Sequence, residues 1–270
     1  MDYSSVQSQC LSIRRSLLNA SHNSKIPHLG SCLSCVEILT YLYSTCISST
    51  TSLINDFHSC DFLLSKGHAA PLLYQVLAEF DLIDRSLLND QLGKDGSIFH
   101  EHPPVPSLLP QVVAATGSLG HGFGISIGLA LSHQSTNSKK LITCLVGDGE
   151  CNEGSIWESA QIASRLKLHN LVVFVDNNDW QATAKSSSLC STPLADKFSS
   201  FGWHTIEIDG HDIHSLNHSF QQAQNSPLPS VIVCNTVKGH PISFMSDNNN
   251  WHYRIPTESD LTNALSELNS

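Results

Sequence analysis

Two short apolar runs, each ending in oxygen-bearing side chains, constrain the fold of this chain more than any other feature. Residues 141–146 (LITCLV) end at 147–149 (GDG), and residues 171–175 (LVVFV) end at 176–178 (DNN). Such runs are typical of strands that are buried on both faces of a parallel sheet. Apolar residues recur at helical spacing through 156–166, so the whole segment predicts a strand, a helix and a second strand.

The remaining periodicity extends this unit into a larger sheet. Two more strands are predicted at 204–208 and 231–235, and helices at 31–45 and 69–80. Alternating strands and helices predict an α/β fold, a doubly wound, mostly parallel sheet flanked by helices. No linker or repeat interrupts the pattern, so we expect one domain over 1–270, with its ligand site at the carboxyl ends of the strands.

The acidic charge balance limits the classes of partner. The formal net charge is −10 at pH 7, whereas nucleic acid and anionic membranes are bound by basic surfaces. We therefore expect neither as a partner. An anionic ligand would have to be bound by positive charges within its own site. Residues 1–20 lack the continuous apolar core of a signal peptide or a membrane span. These features predict a cytoplasmic protein.

Nine cysteines are scattered through mostly apolar patterns, which is typical of reduced thiols in a cytosolic core. Cys32 and Cys35 form the one pair at metal or redox spacing. No second pair at zinc spacing accompanies them, and apolar residues follow at helical spacing. We therefore interpret both cysteines as part of a packed helix, with a metal or redox role as the alternative.

The two central strands place oxygen ligands side by side. Asp148 follows the first strand, Asn178 follows the next, and a helix begins near Glu153 between them. Such oxygens suit Mg²⁺, which can bridge a protein and a diphosphate, and a helix N-terminus favours the same anion. The alternative is that both side chains cap turns.

A series of motifs supports a more specific interpretation. They are SKGHAAP (65–71), TGSLGHG (116–122), GDGE (147–150), EG (153–154), WE (157–158), DNN (176–178), Gln181, PLADK (193–197), FGWH (201–204), DGHD (209–212), TVKG (236–239), SFM (243–245) and WH (251–252). In sequence and order they resemble the N-terminal subunit of split transketolases, from about Ile13 to Leu268. The resemblance implies the thiamine-diphosphate-binding fold, with thiamine diphosphate and Mg²⁺ as cofactors.

The resemblance also implies roles for individual residues. Asp148, Asn178 and the backbone carbonyl of Trp180 would bind Mg²⁺. Residues that would bind the cofactor are His68, Gly117, Ser118, Leu119, Gly147, Asp148, Gly149, Glu150, Asn178, Gln181 and His252. Glu153 corresponds to a glutamate that links the two active sites across a dimer interface. The alternative is a helix N-terminal glutamate stabilised by the helix dipole.

Four of the fifteen histidines match family positions. By resemblance, His68 and His252 would contact the diphosphate and the sugar. His28 and His102 would hold hydroxyl groups and move protons, a task that suits imidazole because its pKa lies near neutrality. We predict catalytic roles for these four histidines and for Glu153.

The resemblance implies a reaction that one chain cannot complete. A ketose donor would lose a two-carbon unit to the cofactor, and an aldehyde acceptor would take it. In this family a glutamate on a second, pyrimidine-binding domain activates the cofactor. We expect that domain on a separate C-terminal transketolase-like subunit, in a heterotetramer.

Several positions depart from the family pattern. They are Pro27, Leu29, His121, His240, Pro241 and Tyr253. Pro27 and Tyr253 replace glycines and add bulk near the expected substrate position, so a donor or acceptor other than the pentose phosphates is predicted. Two alternatives stay open: the alpha subunit of a thiamine-dependent 2-oxo acid dehydrogenase or a related acyl-transferring enzyme, and a non-catalytic subunit that only binds a partner.

Overall fold

A five-stranded parallel sheet forms the centre of the computed structural model, which describes residues 2–47, 60–190 and 192–269. The strands are β1 (Cys60–Leu64), β2 (Leu141–Gly147), β3 (Leu171–Asn177), β4 (His204–Asp209) and β5 (Ser230–Asn235). Their order in the sheet is β1-β2-β3-β5-β4, and every pairing is parallel. The predicted α/β fold is therefore confirmed. The predicted range of 1–270 includes residues 1, 48–59, 191 and 270, which lie outside the described part.

Helices cover both faces of the sheet. They are α1 (Tyr3–Ser24), α2 (Leu29–Leu33), α3 (Val36–Leu42), α4 (Ala70–Glu79), α5 (Arg85–Gln91), α6 (His121–Ser135), α7 (Gly154–Arg165), α8 (Ser186–Leu189), α9 (Leu194–Ser200), α10 (Ile213–Gln224) and α11 (Glu258–Glu267). Within the described ranges, no helix is both long and apolar enough to cross a lipid bilayer.

The central strands are buried on both sides, as their continuous apolar runs predict. In β2, Leu145 packs into a core shared with α1, α3 and α4, whereas Cys144 and Val146 pack into a second core with α6 and α7. Both cores exclude water from the strands, which fixes the carboxyl ends of the strands relative to one another. The loops that follow those ends are therefore anchored to a rigid sheet.

Two parts of the fold differ from the sequence prediction. Strand β1 was not predicted, because a five-residue run that contains Asp61 shows no clear period. The helix predicted over 31–45 is interrupted at Ser34, and a π-helical turn follows at Tyr43–Ile47. The Ser34 hydroxyl donates to Asp176 Oδ2 at 2.6 Å, a contact between residues 142 positions apart.

The prediction that Cys32 and Cys35 belong to packed helical structure agrees with their positions. Both are free thiols and completely buried, and Cys35 lies between α2 and α3. Burial raises the pKa of the Cys32 thiol to about 12. A neutral, inaccessible thiol is a poor nucleophile and a poor metal ligand, so neither cysteine is a candidate site.

Candidate functional site

A cleft of about 650 Å³ lies at the carboxyl ends of the strands, within the range typical of small-molecule sites. It contains every residue predicted for the site except Ser118. The predicted residues that line it are His28, His68, His102, Gly117, Leu119, Gly147, Asp148, Gly149, Glu150, Glu153, Asn178, Trp180, Gln181 and His252. Ser118 lies between two lining residues but exposes its side chain. The structure thus brings together side chains from distant motifs.

Two of the three predicted metal ligands, Asp148 and Asn178, directly follow β2 and β3. Asp148 is 3% exposed, and burial raises the pKa of its carboxyl to about 7, although Ser186 Oγ donates to it at 2.6 Å. A buried carboxylate of this kind gains stability from a bound cation. The residues present therefore fit Mg²⁺, which prefers oxygen ligands.

The amide of Asn178 is held in one orientation. Its Nδ2 donates to Asp176 Oδ2 at 3.0 Å, and its Oδ1 accepts from the backbone N–H of Trp180 at 3.0 Å. An amide oxygen has a second lone pair. Asn178 Oδ1 can therefore also serve a metal ion, while Asp176 prevents the amide from turning over.

A fully buried ion pair includes Asp176, the residue that orients the Asn178 amide. Lys66 and Asp176 are 1% and 0% exposed, and Lys66 Nζ donates to Asp176 Oδ2 and to the Ser31 carbonyl at 3.0 Å. Burial alone would lower the pKa of Lys66, but the carboxylate of Asp176 outweighs it and raises that pKa. Neither residue was predicted as part of the site. Their contact, between residues 110 positions apart, leaves no local pattern in the sequence.

Three of the predicted histidines surround the fourth. The ring centroid of His28 lies 5.4 Å from that of His68, 6.3 Å from His102 and 4.9 Å from His252. Burial lowers the pKa of His28 to about 4 and of His252 to about 3, and it lowers the pKa of His68 well below its usual range. These three imidazoles are therefore neutral near pH 7, and each offers one donor and one acceptor.

Lys238 is a second buried cation, and it was not predicted as part of the site. It is 1% exposed, and its Nζ lies 3.0 Å from His252 Nδ1 and 2.8 Å from Asn249 Oδ1. Burial, and then the neighbouring Lys66, lowers the pKa of Lys238 to about 8. Asp176 offsets the charge of Lys66, whereas Lys238 adds positive charge behind His252, which suits an anionic ligand in the cleft.

The two glutamates predicted for the site differ in their surroundings. Glu150 is buried and accepts from Ser65 Oγ at 2.5 Å, Gly120 N at 2.8 Å and Gly147 N at 3.2 Å. These bonds hold three segments of the cleft wall together. Glu153 is exposed at the start of α7, without a side-chain capping bond. Its side chain is thus accessible to a partner chain.

Low pH is expected to weaken the fold through its buried histidines. His28, His240 and His252 have pKa values of about 4, 4 and 3, each lowered mainly by burial from an ordinary value of 6.5. The unfolded chain takes up protons below about pH 6.5, whereas the folded chain resists protonation until about pH 4. We expect the free energy of unfolding to fall as the pH drops from 6.5 to 4.

Urea titrations across this pH range test the expectation. Because His240 lies outside the cleft, His240→Gln should reduce the slope of stability against pH without altering the cleft. An unchanged slope would show that His240 does not contribute in the way its burial indicates.

Gly67 allows two segments that line the cleft, one at His68 and one at Gly117, to pack closely. A Cβ at this position would lie 2.7 Å from the backbone of Thr116 and Gly117. Gly67→Ala is therefore expected to lower the free energy of unfolding by about 1–3 kcal/mol. Gly128→Ala in α6 is the matched control, since nothing lies within 4 Å of its Cβ, and it should stabilise the chain by about 0.5–1 kcal/mol. Urea denaturation measures both, and equal effects would contradict the close approach at Gly67.

A second cluster of metal-ligating side chains lies outside the cleft. Glu37, His211 and His240 could each offer one ligand atom within 4.8 Å of the others. However, His211 Nε2 accepts from the backbone N–H of Val237 at 2.9 Å, so His211 carries its proton on Nδ1 and donates to Glu37 at 3.1 Å. Both nitrogens of His211 are thus in use, and this cluster is a hydrogen-bond network rather than a metal site.

Comparison with known proteins agrees with the geometry of the cleft. Residues 6–265 match the family described as the thiamine diphosphate binding domain of transketolase. One subunit of an apulose-4-phosphate transketolase from Actinobacillus succinogenes is 35% identical over 271 residues, which cover 99% of this chain and 97% of the relative. One subunit of a 6-deoxy-6-sulfo-D-fructose transketolase from Clostridium sp. (strain MSTE9) is 33% identical over 265 residues, covering 97% and 96%.

Solved structures show the same fold. The transketolase of Campylobacter jejuni superposes with a TM-score of 0.87 at 23% identity, and the match covers 100% of this chain and 43% of that transketolase. The chain thus spans less than half of a full-length transketolase but nearly all of the relatives named as subunits. The chain belongs to the transketolase family, as a thiamine-diphosphate-binding subunit of the split type.

Proposed function

We propose that this protein transfers a two-carbon ketol unit from a ketose donor to an aldehyde acceptor, with thiamine diphosphate and Mg²⁺ held in the cleft. The observation that carries the proposal is the meeting of Asp148 and Asn178 with Lys66 and four histidines in one cleft, with Lys238 buried behind His252. Oxygen ligands for a metal, positive charge for a diphosphate and neutral imidazoles for sugar hydroxyls are the groups that this reaction requires.

We further propose that 1–270 forms one domain and that the second, pyrimidine-binding domain comes from a separate C-terminal subunit, in a heterotetramer. Two relatives that match almost end to end are named as transketolase subunits, which supports a split enzyme. The exposed Glu153 is available for the contact between active sites. The predicted cytoplasmic location stays part of this proposal.

Each group of the cleft would have a distinct task. Bound thiamine diphosphate supplies a carbon nucleophile and an electron sink. Asp148, Asn178 and the Trp180 carbonyl would hold Mg²⁺, and Lys238 would offset part of the charge of the diphosphate. His28 and His102 would bind substrate hydroxyl groups and move protons from and to them. Imidazole suits both tasks because, in its neutral form, one nitrogen donates while the other accepts.

The substrate is proposed to be a ketose that carries an anionic group and differs from the pentose phosphates. The names of two relatives include a sugar 4-phosphate and a 6-sulfo sugar. Tyr253, a departure from the family pattern, lines the cleft and is 62% exposed. Its ring centroid lies 4.5 Å from that of His252 and 5.7 Å from that of His28. It therefore narrows the cleft beside the histidines that would meet the substrate.

Removing the Tyr253 ring is expected to change substrate preference without unfolding the chain. Tyr253→Gly should raise kcat/KM for pentose phosphates by about tenfold or more, because a group that narrows a pocket is worth about 1–3 kcal/mol of discrimination. Tyr253→Phe retains the ring and should behave as the wild type. Steady-state assays of the reconstituted enzyme measure this, and equal values for all three proteins would exclude Tyr253 as a determinant of specificity.

Reconstitution tests the proposed function. The chain should be mixed with a C-terminal transketolase-like subunit, thiamine diphosphate and Mg²⁺, and given anionic ketoses with and without an aldehyde acceptor. Acceptor-dependent formation of a new ketose supports ketol transfer. Oxidative decarboxylation of a 2-oxo acid would support the dehydrogenase alternative instead. Cofactor binding without turnover of either class would favour a non-catalytic subunit.

A further inference from the structure

The contact between Lys238 and His252 determines which nitrogen of the imidazole carries the proton. Lys238 Nζ lies 3.0 Å from His252 Nδ1. A lysine ammonium has only donors, so a hydrogen bond at this distance requires an unprotonated Nδ1. Ser31 Oγ lies 3.4 Å from the same nitrogen and can donate to it as well. The neutral imidazole must then carry its proton on Nε2.

The surroundings keep Lys238 in the donating position. Its Nζ also donates to Asn249 Oδ1 at 2.8 Å, and the Asn249 amide is oriented by its own Nδ2, which donates to the Ala182 carbonyl at 3.1 Å. Because Lys238 is 1% exposed, water does not replace these partners. The ammonium is thus directed at an amide oxygen and at an imidazole nitrogen.

The backbone of His252 is fixed as well. Its backbone carbonyl accepts from His28 N at 2.8 Å, and the preceding Trp251 is 1% exposed. The ring lines the cleft, and its hydrogen bonds to described residues are both at Nδ1. An Nε2–H group is therefore available to a ligand in the cleft.

We propose that Lys238 is a positioning residue that holds His252 in the Nε2–H tautomer, so that His252 meets its ligand as a hydrogen-bond donor. This deepens the proposed function, because oxygens of a diphosphate or of a ketose can accept such a bond. It also gives His252 a different task from a histidine that removes a proton, which would need a free lone pair on Nε2. The burial that keeps the imidazole neutral near pH 7 supports the same assignment.

Nitrogen NMR tests the tautomer directly in the full chain. Long-range ¹H–¹⁵N correlation of the histidine-labelled protein distinguishes protonated from unprotonated ring nitrogens, and His252→Gln assigns the signal. We expect His252 to have a protonated Nε2 in the wild type and in Lys238→Arg, which retains a donor. Lys238→Met should give a mixture of tautomers. Lys94→Met, the same change at an exposed lysine paired with Asp90, should leave the spectrum unchanged.

A protonated Nδ1 in the wild type would overturn the proposal, and so would an unchanged tautomer in Lys238→Met. Should Lys238→Met not fold, Lys238→Gln provides the same test. The glutamine amide can accept as well as donate a hydrogen bond, so it does not require an unprotonated Nδ1 and should also give a mixture of tautomers.

Cofactor titration separates this inference from the proposed function. Lys238→Met should weaken thiamine diphosphate binding in the reconstituted enzyme by about tenfold, the worth of one hydrogen bond from His252 to a charged group, whereas Lys238→Arg should retain it. If the wild type binds no thiamine diphosphate, the proposed function fails while the tautomer result still stands.

Discussion

Replacing Asp176 with asparagine is expected to lower the free energy of unfolding by about 3–5 kcal/mol, because it leaves the buried ammonium of Lys66 without its counter-charge. Both side chains are within 1% of full burial, so water cannot take the place of the lost carboxylate. Asp176 also accepts from Ser34, Asn178 and Thr236. The same substitution therefore loosens the interrupted helix and the Asn178 amide together.

Urea denaturation of the full chain measures this effect, with Asp90→Asn as the matched control. Asp90 pairs with Lys94 at 2.8 Å on the surface, so its replacement should cost less than about 1 kcal/mol. Similar losses for the two variants would mean that the Lys66–Asp176 pair contributes no more than a surface pair. Magnesium affinity should also fall in Asp176→Asn only, since the Asn178 amide is then free to turn.

Replacing Asp148 with alanine is expected to weaken magnesium-dependent binding of thiamine diphosphate by roughly a hundredfold or more, because a direct ligand matters at least as much as its supporting shell. The fold should survive, since burial of the Asp148 carboxylate is unfavourable without a cation and its pKa is raised to about 7. A variant that is folded but does not bind the cofactor is therefore the expected outcome.

Calorimetry with thiamine diphosphate at fixed Mg²⁺ concentration measures this loss, and Asp95→Ala is its control. Asp95 is an exposed loop carboxylate outside the cleft, so its removal should leave binding within about twofold, as for most surface substitutions. Wild-type affinity in Asp148→Ala would exclude Asp148 as a metal ligand and would show that the metal site does not lie at the end of β2.

The sheet could be predicted largely from sequence because strands buried on both faces appear as continuous apolar runs. The runs that became β2 and β3 also placed Asp148 and Asn178 at adjacent strand ends. Strand β1 was missed because five residues with one aspartate carry too little pattern. The interruption at Ser34 could not be predicted either, since it depends on Asp176, which only the folded chain brings near.

For the site too, residues in local motifs could be predicted, whereas residues whose role depends on distant partners could not. Motif residues such as His68 and His252 were predicted because they sit in recognisable segments, and the structure places them in one cleft. Lys66 and Lys238 lie in such segments too, but a lysine in a sequence is usually a surface residue. Their burial follows from partners that only the folded cleft brings near, Asp176 for Lys66 and His252 for Lys238.

We propose that this chain holds half of a thiamine diphosphate site that a second subunit completes. Calorimetric titration of thiamine diphosphate with Mg²⁺ into the chain, alone and then mixed with the C-terminal subunit, tests it most directly. We expect magnesium-dependent binding that appears or strengthens greatly only in the mixture. No binding under either condition would contradict the claim and would leave a transketolase-type fold that serves assembly alone.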